Sequence, residues 1–207
     1  MIFPINSSKY EILKCIYENP GVKISDLLRL TNTSQKIGYG HIRNLLKAGI
    51  ISETLEGKKP ILRTLRPNFS EAGKTCFALM EIQKRMDFFG RHPELKGSFL
   101  QFDKEIRDSV DTVLLFGSFA RGTETNTSDI DIAVLAKTAM KAELEKTSER
   151  CFVTSRNRVS MRLLGTKEFI GAARKGDEFI KQIAKDHIVV SNADKWTGIL
   201  SQISGQP

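Results

Sequence analysis

Apolar residues in the first third of the chain recur at helical intervals. Ile12, Leu13, Ile16 and Tyr17 lie three and four apart, Ser7 or Ser8 stands where a cap belongs, and Asn19-Pro20-Gly21 ends the run. Ser25-Asp26 opens a second, shorter helix through Leu27, Leu28 and Leu30, and Thr31-Asn32-Thr33 is a turn. Ser34 begins a third helix, about Gln35 to Ala48, with Ile42, Leu45 and Leu46 inward and Gly49 as its stop. Ile50-Ile51-Ser52-Glu53, a Gly57-Lys58-Lys59 turn and Ile61 to Leu65 then read as a two-stranded hairpin with a basic tip. Residues 69–90 predict a longer helix capped by Ser70, with Glu71, Lys74, Glu81 and Lys84 outward.

Beyond Gly90-Arg91-His92-Pro93 the pattern changes to short apolar runs alternating with helical ones. It predicts a helix over about 99–109, strands over 112–117 and 129–136, a helix over 138–149, a strand over 158–164, and helices to the end. The expected organisation is an N-terminal domain at 1–67, a connecting helix and linker at 68–93, and a second domain at 94–207. In fold class this is α+β or α/β, with a small mixed sheet in the second domain.

Length and composition narrow this little: 207 residues with 40% hydrophobic and 27% charged side chains fit an ordinary globular protein of one large or two small domains. No apolar run reaches bilayer length and no charged-then-apolar leader opens the chain. Cys15, Cys76 and Cys151 stand far apart without histidine at ligand spacing, so reduced core thiols in a cytoplasmic protein are expected. Charge is more informative. Residues 1–93 hold 15 Lys/Arg against 8 Asp/Glu, and residues 94–207 hold 17 against 16, so +7 of the net +8 belongs to the first part. A basic half beside a near-neutral one favours a polyanionic partner for the former.

Candidate chemistry is concentrated in Val113–Leu135, VLLFGSFARGTETNTSDIDIAVL. An apolar strand ends in Gly117-Ser118, and a second strand carries Asp129 and Asp131 on one face with Ile130 and Ile132 on the other. Paired carboxylates opposite a Gly-Ser turn suit Mg²⁺ and the phosphates it bridges. This segment resembles the nucleotidyltransferase superfamily related to polymerase beta, above all its minimal members, which carry Gly-Ser, ten residues, then Asp-x-Asp. Here the ten are Phe119 to Ser128, and Arg121-Gly122 falls where the family has Ala-Arg-Gly after the serine. The resemblance implies Asp129 and Asp131 as catalytic Mg²⁺ ligands and Gly117 and Ser118 as the holders of a nucleoside triphosphate. Arg121 either contacts a phosphate or is a solvated turn arginine, and Thr123, Thr125 and Thr127 read as loop polarity. Active members add a third acid on a later strand. The corresponding Asn157–Leu164 offers no carboxylate on either face, and Ser160 or Arg162 takes that place.

The three helices and hairpin, with Leu45-Leu46-Lys47-Ala48-Gly49-Ile50-Ile51 before a lysine-bearing tip, resemble a winged helix-turn-helix domain. That resemblance puts the third helix in a DNA major groove, with Gln35, Lys36, Tyr39, His41 and Arg43 toward bases and Lys58, Lys59 and Arg63 on phosphates. The fold also serves protein contacts; the basic excess favours DNA. Gly38 and Gly40 inside the helix either allow a close approach by a partner or mark a broken start. Two functions follow: a Mg²⁺-dependent transferase moving a nucleotide from an NTP to an unknown acceptor, or a weakly active or inactive DNA-binding regulator that senses a nucleotide or a partner. Minimal nucleotidyltransferases also serve as antitoxins of small helical toxins, which adds a protein partner to the expectation. The 69–90 helix is either a homodimer contact or a linker.

Overall fold

The computed structural model describes residues 7–57 and 62–205. Their contacts divide the chain into two compact units that part between Met80 and Glu81, inside the stretch where the sequence places a linker.

The first unit orders α1 (Ser7–Glu18), β1 (Val22–Lys23), α2 (Ile24–Leu30), α3 (Gln35–Lys47), β2 (Ile51–Glu56) and β3 (Leu62–Pro67). Ile12, Leu13 and Ile16 of α1 are fully buried, together with Leu27, Ile42, Leu45, Ile51 and Leu65. Each such side chain withdrawn from water contributes roughly 1.5–3 kcal/mol. The three strands pair antiparallel in the order β1-β3-β2, with Val22 opposite Leu65 and Thr54 opposite Thr64. Three helices closed by this small sheet make a winged helix. β1 escapes a periodicity reading because two residues carry no period; it exists through its pairing with β3.

α3 runs unbroken through both glycines, so they do not mark a failed helix start. A Cβ on Gly38 would stand 2.1 Å from Leu28 Cδ2, so this glycine lets α3 lie close on α2. A Cβ on Gly40 would meet nothing within 4 Å.

α4 (Glu71–Arg91) starts as expected, the Gly73 amide donating to Ser70 Oγ at 3.2 Å. Glu81 is a correction: it does not face outward but is fully buried. Its Oε1 lies 3.0 Å from His187 Nε2 and its Oε2 3.3 Å from Lys84 Nζ; the indole nitrogen of Trp196 is 2.8 Å from the same His187 nitrogen, which either donates to Glu81 or accepts from Trp196 but not both. A carboxylate buried with cationic and hydrogen-bonding neighbours escapes the cost that polarity alone would predict.

The second unit continues with α5 (Pro93–Ile106), β4 (Thr112–Phe116), α6 (Gly117–Arg121), β5 (Ile130–Leu135), a 3₁₀ turn (Thr138–Met140), α7 (Lys141–Cys151), β6 (Val159–Leu164), α8 (Thr166–Lys175), α9 (Glu178–Lys185), β7 (Ile188–Ser191) and α10 (Ala193–Ser204). The tail Ile188-Val189-Val190, read with the terminal helices, is in fact a strand: β7 pairs antiparallel with β4. The four-stranded sheet runs β6-β5-β4-β7; β4 and β5 are antiparallel, β5 and β6 parallel. This is a mixed sheet with helices on both faces. Val113, Leu115, Ile130, Ile132 and Val134 pack under α5 and α7 through Phe99, Phe102 and Leu144. Leu114, Phe116, Ala133 and Leu135 pack under α8, α9 and α10 through Phe169, Ile183 and Trp196. Strand alternation therefore puts Asp131, two before Ala133, on the second face.

Candidate functional site

The predicted Gly-Ser turn is the first turn of the short helix α6. Gly117 takes φ +74°, a backbone that side chains disfavour, and a Cβ there would stand 2.3 Å from Asp131 Oδ2. Phe116 lies opposite Asp131 in the β4–β5 register, so the end of β4 delivers the turn directly against the carboxylate. Asp129 is exposed one residue before β5, and Asp131 is half-buried within it. Both stand where the sequence places them.

The loop between turn and carboxylates is held by its own polar groups. The Thr125 amide donates to Ser128 Oγ at 2.9 Å, Thr125 Oγ1 lies 3.2 Å from Thr127 Oγ1, and the Thr123 amide donates to the Ser118 carbonyl at 3.0 Å. Asn157 Nδ2 donates to the Ser128 carbonyl at 2.8 Å, pinning the residue before Asp129 to the start of β6. Asn157 was not singled out by sequence reasoning, and no spacing would have found it.

The parallel register sets Ser160 opposite Asp131 and Arg162 opposite Ala133. Of the two sequence candidates for the third-acid place, Ser160 is the one that stands opposite Asp131. Burial pushes the Asp131 carboxyl above its ordinary range and Asp129 adds to this, while the Ser160 hydroxyl, Arg162 and Arg121 oppose the rise. Glu168 and Asp111 do not supply the missing acid: Glu168 lies against Gly165, and Asp111 accepts from Thr166 Oγ1 at 2.5 Å.

Does this set fit a metal? Among the described residues no three His, Cys, Asp or Glu side chains gather as a complete cation site. Mg²⁺, however, is commonly held by one or two carboxylates with water and substrate phosphates completing its shell. Two carboxylates that repel each other, one of them partly desolvated, fit one such ion.

In the winged helix, Gln35, Lys36, Tyr39 and Arg43 are exposed on α3 at neighbouring turns. His41 is not among them. It is half-buried and turned onto α1, 2.9 Å from Ser8 Oγ, and burial followed by the charge of Lys9 lowers its pKa. Arg63 is exposed on β3 but bonds Glu53 across the hairpin, its Nη2 3.1 Å from Oε2. Lys58 and Lys59 lie outside the described residues. The cysteines are free, and burial pushes the Cys76 thiol up to about 11. No described helix is long and apolar enough to cross a membrane.

The architecture and the Gly-Ser/Asp-x-Asp geometry define a nucleotidyltransferase fold that follows a winged helix in chain order. Residues 102–195 match the sequence model of the family described as Polymerase beta, Nucleotidyltransferase. Among solved structures, the transcriptional regulator SlyA aligns at 22% identity over 44% of this chain and 61% of that chain, with a TM-score of 0.35. The chain thus spans about three fifths of that structure's length, and the winged-helix assignment rests on helix order and strand pairing, not on this likeness. No curated protein matches the chain.

Proposed function

We propose that the protein is a DNA-binding regulator whose nucleotidyltransferase domain binds a nucleoside triphosphate with Mg²⁺ without rapid turnover. The observation that carries this reading is Ser160, set opposite Asp131 by the strand register where a third carboxylate would stand. Gly117 and Ser118 receive the phosphates, and Asp129 and Asp131 hold the ion, which supplies charge neutralisation to the triphosphate. A serine hydroxyl is no general base near neutral pH, and losing such a base costs about 10²–10⁴-fold in rate.

DNA binding is supported by the winged-helix topology, the basic first half and the exposed row Gln35, Lys36, Tyr39 and Arg43. Calorimetry with ATP, CTP and GTP in Mg²⁺ tests the nucleotide half: wild type binds, and Asp129→Asn loses most of the affinity. Wild type that takes up no nucleotide sinks the reading. DNA from upstream of its own gene, titrated at low salt where phosphate contacts are strongest, tests the other half.

Transfer of a nucleotide to an unidentified acceptor is the second reading, favoured by the intact Gly-Ser and Asp-x-Asp geometry. Labelled ATP that moves onto an acceptor with wild type, at the rate of a three-acid relative, would replace the first reading with this one.

A further inference from the structure

Phe179 of α9 is 41% exposed, whereas Ile180 and Ile183 of the same helix are buried in the core. A lone surface phenylalanine needs no explanation; its surroundings do. Phe116, the residue before Gly117, meets the ring edge-on at 5.8 Å and 83°. The guanidinium of Arg162 lies over the ring, 4.9 Å from its centre. Arg107 and Arg150 elsewhere in this unit pair with carboxylates. Arg162 differs: it is an exposed residue whose guanidinium carbon lies over an aromatic ring.

Register places this pair beside the carboxylates. Ser160 is opposite Asp131, and Arg162 is two residues further along β6 on the same face, about 7 Å away at the strand rise. Phe116 ties the ring to the turn from the other side. An aromatic ring covered by a guanidinium thus stands beside the Asp131 end of the site.

We propose that Phe179 and Arg162 form the nucleobase platform of this site, the base of a nucleoside triphosphate stacking against the guanidinium that the ring supports while its phosphates reach Gly117-Ser118. The inference rests on the nucleotide-binding reading above and adds the subsite that distinguishes a nucleotide from bare polyphosphate. Stacking on an aromatic face and on an arginine plane is available to every base, so the site discriminates little among them and favours the larger purines.

Calorimetry on the full chain in Mg²⁺, with ATP and inorganic tripolyphosphate as separate probes, tests it. ATP should bind wild type more tightly than tripolyphosphate. Phe179→Ala and Phe179→Leu should each weaken ATP about 5- to 100-fold and leave tripolyphosphate unchanged. Phe179→Trp should retain ATP, since a flat ring remains. ATP affinity unchanged in both the alanine and leucine variants overturns the platform while leaving the phosphate site standing. Equal losses for ATP and tripolyphosphate also overturn it, because the ring would then only support the turn. Wild type that binds neither probe overturns the nucleotide reading and this inference together.

Discussion

Gly117 and Asp131 occupy space that a single methyl group would close: a Cβ on the glycine would lie 2.3 Å from the aspartate Oδ2 and 3.1 Å from its Cγ. The contact joins the end of β4 to the middle of the site, and the backbone at Gly117 is left-handed besides. Two separate constraints therefore fall on one residue.

Gly117→Ala should lose at least about 1 kcal/mol of stability from the left-handed backbone. It should also abolish Mg²⁺–nucleotide binding, because the carboxylate must move. Urea unfolding followed by calorimetry checks both; an alanine variant with wild-type affinity would show that the close approach has no role in the site.

Ser160→Asp puts a third carboxylate beside Asp131 in a register that already aligns them. The substituted chain should transfer nucleotide from ATP at least about 10²-fold faster than wild type, the scale of a regained general base. Release of pyrophosphate in Mg²⁺ is the readout. A rate equal to wild type would mean that Ser160 is not what limits the chemistry.

Asp131 links the site to pH. Its folded pKa lies above the unfolded value, chiefly through burial. Between the two values the folded chain keeps a proton that the unfolded chain has released, so stability falls as pH rises through that window and stays lower above it. Asp131→Asn removes this penalty. In metal-free buffer at pH 7 the variant should melt above wild type, with the gap narrowing as pH drops toward the ordinary carboxylate range. Coincident melting curves at every pH would contradict the assignment.

Glu81→Ala strips the carboxylate from a fully buried group that faces His187 and Lys84. Breaking a buried charge pair from one side costs about 3–5 kcal/mol. Trp196, the chain's single tryptophan, packs its ring against His187 with centres 4.8 Å apart and so reports on this cluster. Its fluorescence in urea should show an earlier transition for the alanine variant and a smaller change for Glu81→Gln. An unshifted midpoint would place the cluster's contribution near zero.

Much of the fold was legible because its signals are local. The α1 and α3 cores follow helical spacing, Gly49 ends α3 with φ +67°, and β4 and β5 are apolar runs whose alternation sets Asp131 apart from its isoleucine neighbours. What escaped was non-local. β1 and β7 are short strands defined by partners far along the chain, Leu65 and Val189 facing Val22 and Leu114. Glu81 reads as a surface residue on a helical wheel and is buried only because β7 brings His187 to it. His41 sits among exposed candidates in the sequence, yet its turn of the helix faces Ser8.

The sequence by itself determined the order of elements, the Gly-Ser and Asp-x-Asp spacing and the absence of a carboxylate in Asn157–Leu164, since these depend on residue identity and on the two-residue and 3.6-residue periods. Only the tertiary structure decided that Ser160, not Arg162, stands against Asp131, and that Arg162 lies on Phe179 beside them. Strand register and helix packing are relations between distant segments, fixed by which faces bury together. No local period encodes them.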